Sequence, residues 1–284
     1  MKDLKKHLEE RALTLRRHTI RMIGKAQSGH PGGSLSAADI MAVLYFHKLN
    51  IDPKKPDWPD RDRFVLSKGH ACPVLYAALA ESGFFPVDEL LTLRTLGGRL
   101  EGHPDMRKLP GIEISAGSLG QGLAVANGMA LAARLDGRKS RIYVLMGDGE
   151  CQEGEVWEAS MFGAHHKLDN VVGIIDYNNL QIDGFVSDIL EIQPLKEKWE
   201  SFGWHTMEID GHDVMAIAEA FDAVESIKGR PSMIIAKTTK CKGVSFMENK
   251  AEYHGKAPSG DELEKAMEEL SCIEMIEPDN KEGC

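Results

Sequence analysis

The sequence predicts an α/β protein with a mostly parallel sheet covered by helices on both faces. Three observations predict it. Short apolar runs recur along the chain, at RFVL (63–66), RIYVLM (141–146), VVGIID (171–176), HTMEI (205–209) and MIIA (233–236). Helix-length stretches lie between or beside them, at 71–82, 119–135, 153–167, 194–202 and 213–227. The first three runs end in polar turns, SKGH, GDGE and DYNN. Strands that alternate with helices form parallel sheets buried on both faces, which is why the runs are continuously apolar rather than alternating.

In chain order, residues 3–26 read as a helix with Leu4, Leu13, Ile20 and Ile23 among its apolar positions. GHPGGSLS (29–36) breaks it, and Ser36 is placed to N-cap a helix through Leu49. DPKKPDWPD (52–60) is a proline-rich loop before the first strand. The 284 residues are expected to form a single domain, with an N-terminal helical segment over 1–60 and a polar tail over 272–284, frayed from Glu274.

The bulk properties exclude several classes. A net charge of −10, from 44 acidic and 34 basic residues, repels polyanions and argues against nucleic-acid binding. Five scattered cysteines with no CxxC pair fit a reducing compartment better than a disulfide framework. The charged start, MKDLKKHLEERALTLRRH, lacks the apolar core of a secretion signal, and no run approaches membrane-spanning length. A soluble, cytoplasmic protein is expected.

Ligands of open parallel sheets bind beyond the carboxyl ends of the strands, so the three turns are the candidate site. Gly147-Asp148-Gly149-Glu150 follows one strand, and Asn178-Asn179 follows the next, thirty residues after Asp148. Either motif alone is an ordinary turn. Together they offer a hard cation such as Mg²⁺ the oxygen ligands it requires: an Asp148 carboxylate, an Asn178 amide and the Leu180 carbonyl, with phosphate oxygens and water completing six. Gly149 can bring its N–H to a phosphate. Four histidines, His30, His70, His103 and His254, sit in glycine-bearing turns on separate loops, which suggests one pocket. The other seven read as surface or satisfied core residues. The 30/70/103/254 spacing contains no short-range pair of the kind zinc sites use.

Beyond these elements, GHPGGSLSAADIMAVLYF, DRFVLSKGHACPVLYAALAESG, LEGHPD, GSLGQGLAVANGMALA, GDGECQEGEVWEA and DYNNLQIDG resemble transketolase sequences. They occur in that family's order across about residues 15 to 260. The resemblance implies the thiamine-diphosphate-binding (PP) fold, thiamine diphosphate with Mg²⁺ (or Ca²⁺ or Mn²⁺), and two-carbon ketol transfer between sugar phosphates in the pentose phosphate pathway. It implies that His70, His254 and Lys240 contact the cofactor diphosphate, and that Gly117, Ser118 and Leu119 lie against its pyrimidine. It implies that His30 and His103 hold substrate oxygens, and that Glu153 and Glu158 join a buried carboxylate network across a subunit interface. The helix after Leu119 can also direct N–H groups at an anion, although its glycines could instead serve close packing.

Family members place the glutamate that activates the cofactor in a second domain. The expectation is therefore a split enzyme in an α2β2 assembly. This chain is its N-terminal half, and a C-terminal partner carries the pyrimidine-binding domain. Some members carry serine where this chain has Gly33, which leaves branched or sulfonated sugars open. Another thiamine-diphosphate enzyme, a non-catalytic module, and a nicotinamide-binding protein are the competing readings. The last is disfavoured because no GxGxxG follows an early strand.

Overall fold

The computed structural model describes residues 2–272. Its strands are β1 (Arg63–Leu66), β2 (Ile142–Gly147), β3 (Val171–Tyr177), β4 (His205–Asp210) and β5 (Ser232–Lys237). They form one sheet in the order β1-β2-β3-β5-β4, and every neighbouring pair is parallel. These are the five apolar runs of the sequence, within a residue at each end. The described helices are α1 (Lys2–Ala26), α2 (Pro31–Ser36), α3 (Ala38–Val43), α4 (Cys72–Glu81), α5 (Gln121–Leu135), α6 (Gly154–His165), α7 (Val186–Ile189), α8 (Leu195–Ser201), α9 (Val214–Ala223) and α10 (Gly260–Cys272).

Successive strand side chains point to opposite faces, so each strand feeds two cores. Phe64, Leu66, Tyr143, Leu145, Val172, Ile174, Ile234 and Ala236 pack into a layer with residues of α1, α3, α4 and α9. Val65, Ile142, Val144, Met146, Val171, Ile175, Met233 and Ile235 pack into a second layer with residues of α5, α6 and α8. The N-terminal helices thus share a core with the sheet. β4, at the edge, buries only Thr206 fully and exposes Glu208 and Asp210, as an edge strand covered less completely should.

One local expectation is corrected. Ser36 does not cap a helix running to Leu49. The chain turns helical earlier, at Pro31, whose fixed φ and missing N–H suit a first helical position. α2 then gives way to α3 and a single π turn over Leu44–Lys48. Ser36 is buried, and its hydroxyl donates to the Asp176 carboxylate (2.5 Å). Gly32 and Gly33 lie inside α2 because the Lys240 and Lys68 side chains press on it. A Cβ on Gly32 would fall 2.8 Å from Lys240 Cε.

Cys72, Cys151 and Cys241 are buried and free. No helix among the described residues is long and apolar enough to cross a membrane. The expected tail lies outside the described residues.

Candidate functional site

Four loops meet at the carboxyl ends of the strands: Ser67–His70 after β1, Gly147–Glu150 after β2, Asn178–Leu180 after β3 and Thr238–Cys241 after β5. Three of these ends carry the polar turns that mark the site in the sequence. β5 adds the fourth through Lys240. With the start of α2, the His103 loop and the short 3₁₀ turn Ala251–His254, they enclose a cavity of about 370 Å³.

Two buried charged groups stitch these loops together. The Glu150 carboxylate accepts hydrogen bonds from Ser67 Oγ, Gly120 N (2.9 Å) and Gly147 N (3.0 Å), which belong to three different segments. Burial pushes its carboxyl above the usual range. Lys68 donates to the Gly33 carbonyl (2.7 Å) and to Asp176 at the end of β3. Asp176 also accepts from Ser36, Thr238 and Asn178. Burial alone would raise the Asp176 carboxyl. The Lys68 ammonium and the two hydroxyl donors outweigh it and hold the group below its ordinary value. Glu150, Lys68 and Asp176 line the cavity, and a reading of the motifs by residue type passes over all three. A signal for them exists, since each sits inside one of the motifs at the strand ends.

The four histidines converge as expected. The ring centroids of His30 lie 5.2 Å from His70, 5.6 Å from His254 and 6.3 Å from His103, and His70 lies 5.0 Å from His254. Burial lowers all four below the ordinary imidazole range, with nearby cations adding to it. His30 falls to about 4 and His254 to about 3. At neutral pH these rings are uncharged and can donate from one nitrogen while accepting at the other. Lys240 fixes the tautomer of His254: its ammonium donates to His254 Nδ1 (3.0 Å), so the ring proton belongs on Nε2. Of the remaining histidines, His212 is satisfied between Asp39 (2.7 Å) and the Thr239 N–H (2.7 Å), and His18 pairs with Glu81.

Asp148, Asn178 and Leu180 line the same cavity wall. Asp148 is buried, and its oxygens accept only main-chain N–H groups, from Gly149 (2.7 Å) and Asn179. Among the described residues it has no ion-pair partner. Burial first, and the Asp176 charge second, push its carboxyl up to about 6. The Asn178 amide oxygen accepts from Leu180 N (3.1 Å), and the Leu180 carbonyl accepts from the Lys240 ammonium (2.9 Å). Gln181 Oε1, at the Gly149 backbone, is buried and has no hydrogen-bond partner. A buried carboxylate lacking a countercation, beside neutral oxygens with one acceptor unused, is a donor set that suits a hard cation. Among the described residues no group of three His, Cys, Asp or Glu side chains is arranged to hold a metal. Any metal here would rely on this mixed oxygen set.

Two expected roles are corrected. The Gly149 N–H is not left free for a phosphate, because the Asp148 carboxylate accepts it. The start of α5 does not present free N–H groups at Gly120 and Gly122, because Glu150 and Ser67 accept from them. These glycines serve close approach instead: a Cβ on Gly122 would lie 2.3 Å from the Ser67 side chain. Gly120 also takes a left-handed conformation (φ +91°) at the α5 N-cap.

Gly117, Leu119, Gly149, Glu153, Lys240 and His254 are on the cavity wall. Ser118 and Glu158 are not. Both are exposed, Ser118 between two lining residues and Glu158 on the outer face of α6.

The family profile described as "Transketolase, thiamine diphosphate binding domain" matches residues 8–275. The chain is 46% identical over 263 residues to the 6-deoxy-6-sulfo-D-fructose transketolase subunit SqwG of Clostridium sp. (strain MSTE9), covering 93% of this chain and 96% of that one. It is 44% identical over 264 residues to one of the subunits of the apulose-4-phosphate transketolase of Actinobacillus succinogenes, covering 93% and 95%. The solved transketolase from Campylobacter jejuni superposes with a TM-score of 0.88 at 38% identity, over 97% of this chain but only 44% of that longer one.

Proposed function

The chain belongs to the transketolase family as its thiamine-diphosphate-binding domain, and on that premise we propose that it is the cofactor-binding subunit of a two-chain transketolase. With its partner it moves a two-carbon ketol unit from a ketose phosphate to an aldose phosphate. The observation that carries this reading is one cavity that gathers buried Asp148, which has no ion-pair partner among the described residues, with two ammonium groups and four uncharged imidazoles. That combination matches a metal diphosphate at one end and a polyhydroxylated substrate at the other.

In this reading Asp148, Asn178 and the Leu180 carbonyl hold Mg²⁺, or Ca²⁺ or Mn²⁺ in its place. Lys240, His70 and His254 bind the diphosphate, and Gly117, Ser118 and Leu119 support the pyrimidine. When bound, the cofactor supplies the nucleophilic carbon on which the ketose is cleaved beside its carbonyl. This chain's own side chains orient and exchange protons. His30 and His103 meet substrate hydroxyl and carbonyl oxygens as neutral donor–acceptors, and His30 Nδ1 is buried without a partner. Glu153 and Glu158 are exposed, and they take part in a carboxylate network only once a second chain covers them.

The names of the two-chain relatives support a separate partner subunit, which we infer carries the pyrimidine-binding domain in an α2β2 complex. The same relatives are named for 6-deoxy-6-sulfo-D-fructose and for apulose-4-phosphate. With Gly33 in this chain, that favours a substrate of this unusual kind as the second reading beside ordinary pentose phosphate chemistry in the cytoplasm.

The test is to purify the tagged chain from its own host with whatever accompanies it and to assay ketol transfer with thiamine diphosphate and Mg²⁺. We expect turnover from the complex and negligible turnover from the chain alone. Full activity of the isolated chain would overturn the two-chain reading. Consumption of 2-oxo acids but of no ketose donor would overturn the reaction.

A further inference from the structure

Arg94 lies outside the sequence motifs that mark the site, yet it joins two of the histidine loops. It follows the 3₁₀ turn Val87–Thr92 and takes a left-handed backbone (φ +56°), a conformation costly for an arginine. Its own N–H donates to the Leu100 carbonyl (2.8 Å), which closes the loop beneath it. The guanidinium then forks. Nη1 donates to Ser28 Oγ (2.8 Å), two residues before His30, and Nη2 donates to the Gly102 carbonyl (3.3 Å), immediately before His103. Gly102 makes the approach possible: a Cβ there would fall 2.8 Å from Arg94 Cζ and drive the guanidinium off.

We propose that Arg94 is a positioning residue, a clamp between the Ser28 and Gly102 segments that sets the spacing of the His30 and His103 rings for the sugar. This rests on the transketolase reading only for what the two rings hold. A planar fork holds two N–H donors in a fixed geometry toward acceptors on separate loops, whereas a lysine ammonium, a point charge on a flexible stem, can reach two acceptors but does not set their spacing. From beneath, Cys72 Sγ donates to the same Gly102 carbonyl (3.3 Å) and Tyr76 donates to the Glu101 and His103 carbonyls (3.0 and 3.3 Å); Arg94 is the group that ties this loop to the Ser28 segment leading to His30.

The charge of Arg94 acts in the same place. After burial, it is the largest influence keeping both His30 and His103 unprotonated. His30 also faces Lys240 and the rings of His70, His103 and His254. His103 faces the His30 ring. Arg94 is not among the charges acting on His70 or His254, which answer to Lys68, Lys240 and the neighbouring imidazoles. The two pairs of histidines therefore serve as test and control within one molecule.

The experiment follows the four imidazole resonances by NMR through a pH titration of the full chain as wild type, Arg94→Gln and Arg94→Lys, and measures kcat/KM against pH for each in the complex. In Arg94→Gln, His30 and His103 should titrate at higher pH while His70 and His254 move less, and the acidic limb of kcat/KM should shift upward with them. Arg94→Lys should leave that limb in place but lose about 10- to 100-fold in kcat/KM, because the charge remains while the ring geometry slackens. Unchanged His30 and His103 titrations in Arg94→Gln, all four histidines shifting together, or full kcat/KM in Arg94→Lys would each overturn the clamp. If the wild-type complex transfers no ketol unit, the functional reading fails. The NMR titration of Arg94→Gln still decides whether Arg94 governs the two rings.

Discussion

Glutamine in place of Glu150 removes one acceptor from the junction of three site loops. The wild-type carboxylate satisfies Ser67 Oγ–H and Gly120 N–H through one oxygen and Gly147 N–H through the other. An amide has a single oxygen. If it keeps Ser67 and Gly120, its NH₂ group faces the Gly147 N–H, donor against donor, at a buried position. Losing one charge-assisted bond and stranding its donor costs about 2–3 kcal/mol, partly offset because the variant no longer buries a charge. In a chain of this size that is a melting temperature lower by about 4–10 °C. The effect has a sign in pH. Burial raises the Glu150 carboxyl, so protonation in acid favours the folded wild type, a gain the non-titrating amide cannot share. The gap between wild type and variant should therefore be smallest at neutral pH and widen as the solution is acidified toward the ordinary carboxylate range. Differential scanning calorimetry at several pH values reads both quantities. A variant that melts with the wild type at neutral pH, or a gap that narrows in acid, would refute this account of the buried carboxylate.

Other outcomes follow from the same geometry. Lys68→Met leaves Asp176 buried without its ammonium and should cost about 3–5 kcal/mol in urea unfolding, with much of it recovered in the Lys68→Met/Asp176→Asn double variant. Asp148 has its carboxyl raised to about 6, so in the metal-free chain its contribution to stability is greatest in acid and is lost as pH rises from the ordinary carboxylate range through about 6. Metal binding requires the ionised form. Mg²⁺ affinity measured by calorimetry should therefore fall about tenfold per pH unit below about 6, before the lower-titrating His30 and His254 contribute. Gly33→Ser places a Cβ 3.3 Å from Lys68 Nζ and 3.5 Å from His70 Nε2. It should fold with a stability change under about 1 kcal/mol while altering KM for the sugar more than kcat, read by steady-state kinetics with several donors.

Much of this architecture is legible in the sequence because its signals are local. A strand buried on both faces must be continuously apolar, and Val171–Ile175 is. A turn at the end of such a strand must be polar and permissive, and Gly147–Glu150 is. The convergence of His30, His70, His103 and His254 shows in their shared glycine context, since glycine marks where backbone comes close to something else. Contacts between distant segments are not legible. Nothing local says that Ser36 turns inward to Asp176 rather than capping a helix, because the partner lies 140 residues away. Likewise the N–H groups of Gly120 and Gly122 look free until Glu150 and Ser67 are seen to take them. Arg94 reads as an ordinary loop arginine, and only the fold brings Ser28 and Gly102 within reach of one guanidinium.

The most direct test of the cofactor site is calorimetric titration of thiamine diphosphate into wild type and Asp148→Ala, each with Mg²⁺ and with EDTA, with circular dichroism confirming that both are folded. Wild type should bind far more tightly with the metal than without it, and Asp148→Ala should bind equally weakly in both. An Asp148→Ala chain that keeps the metal-dependent gain, or a wild type indifferent to Mg²⁺, would contradict it.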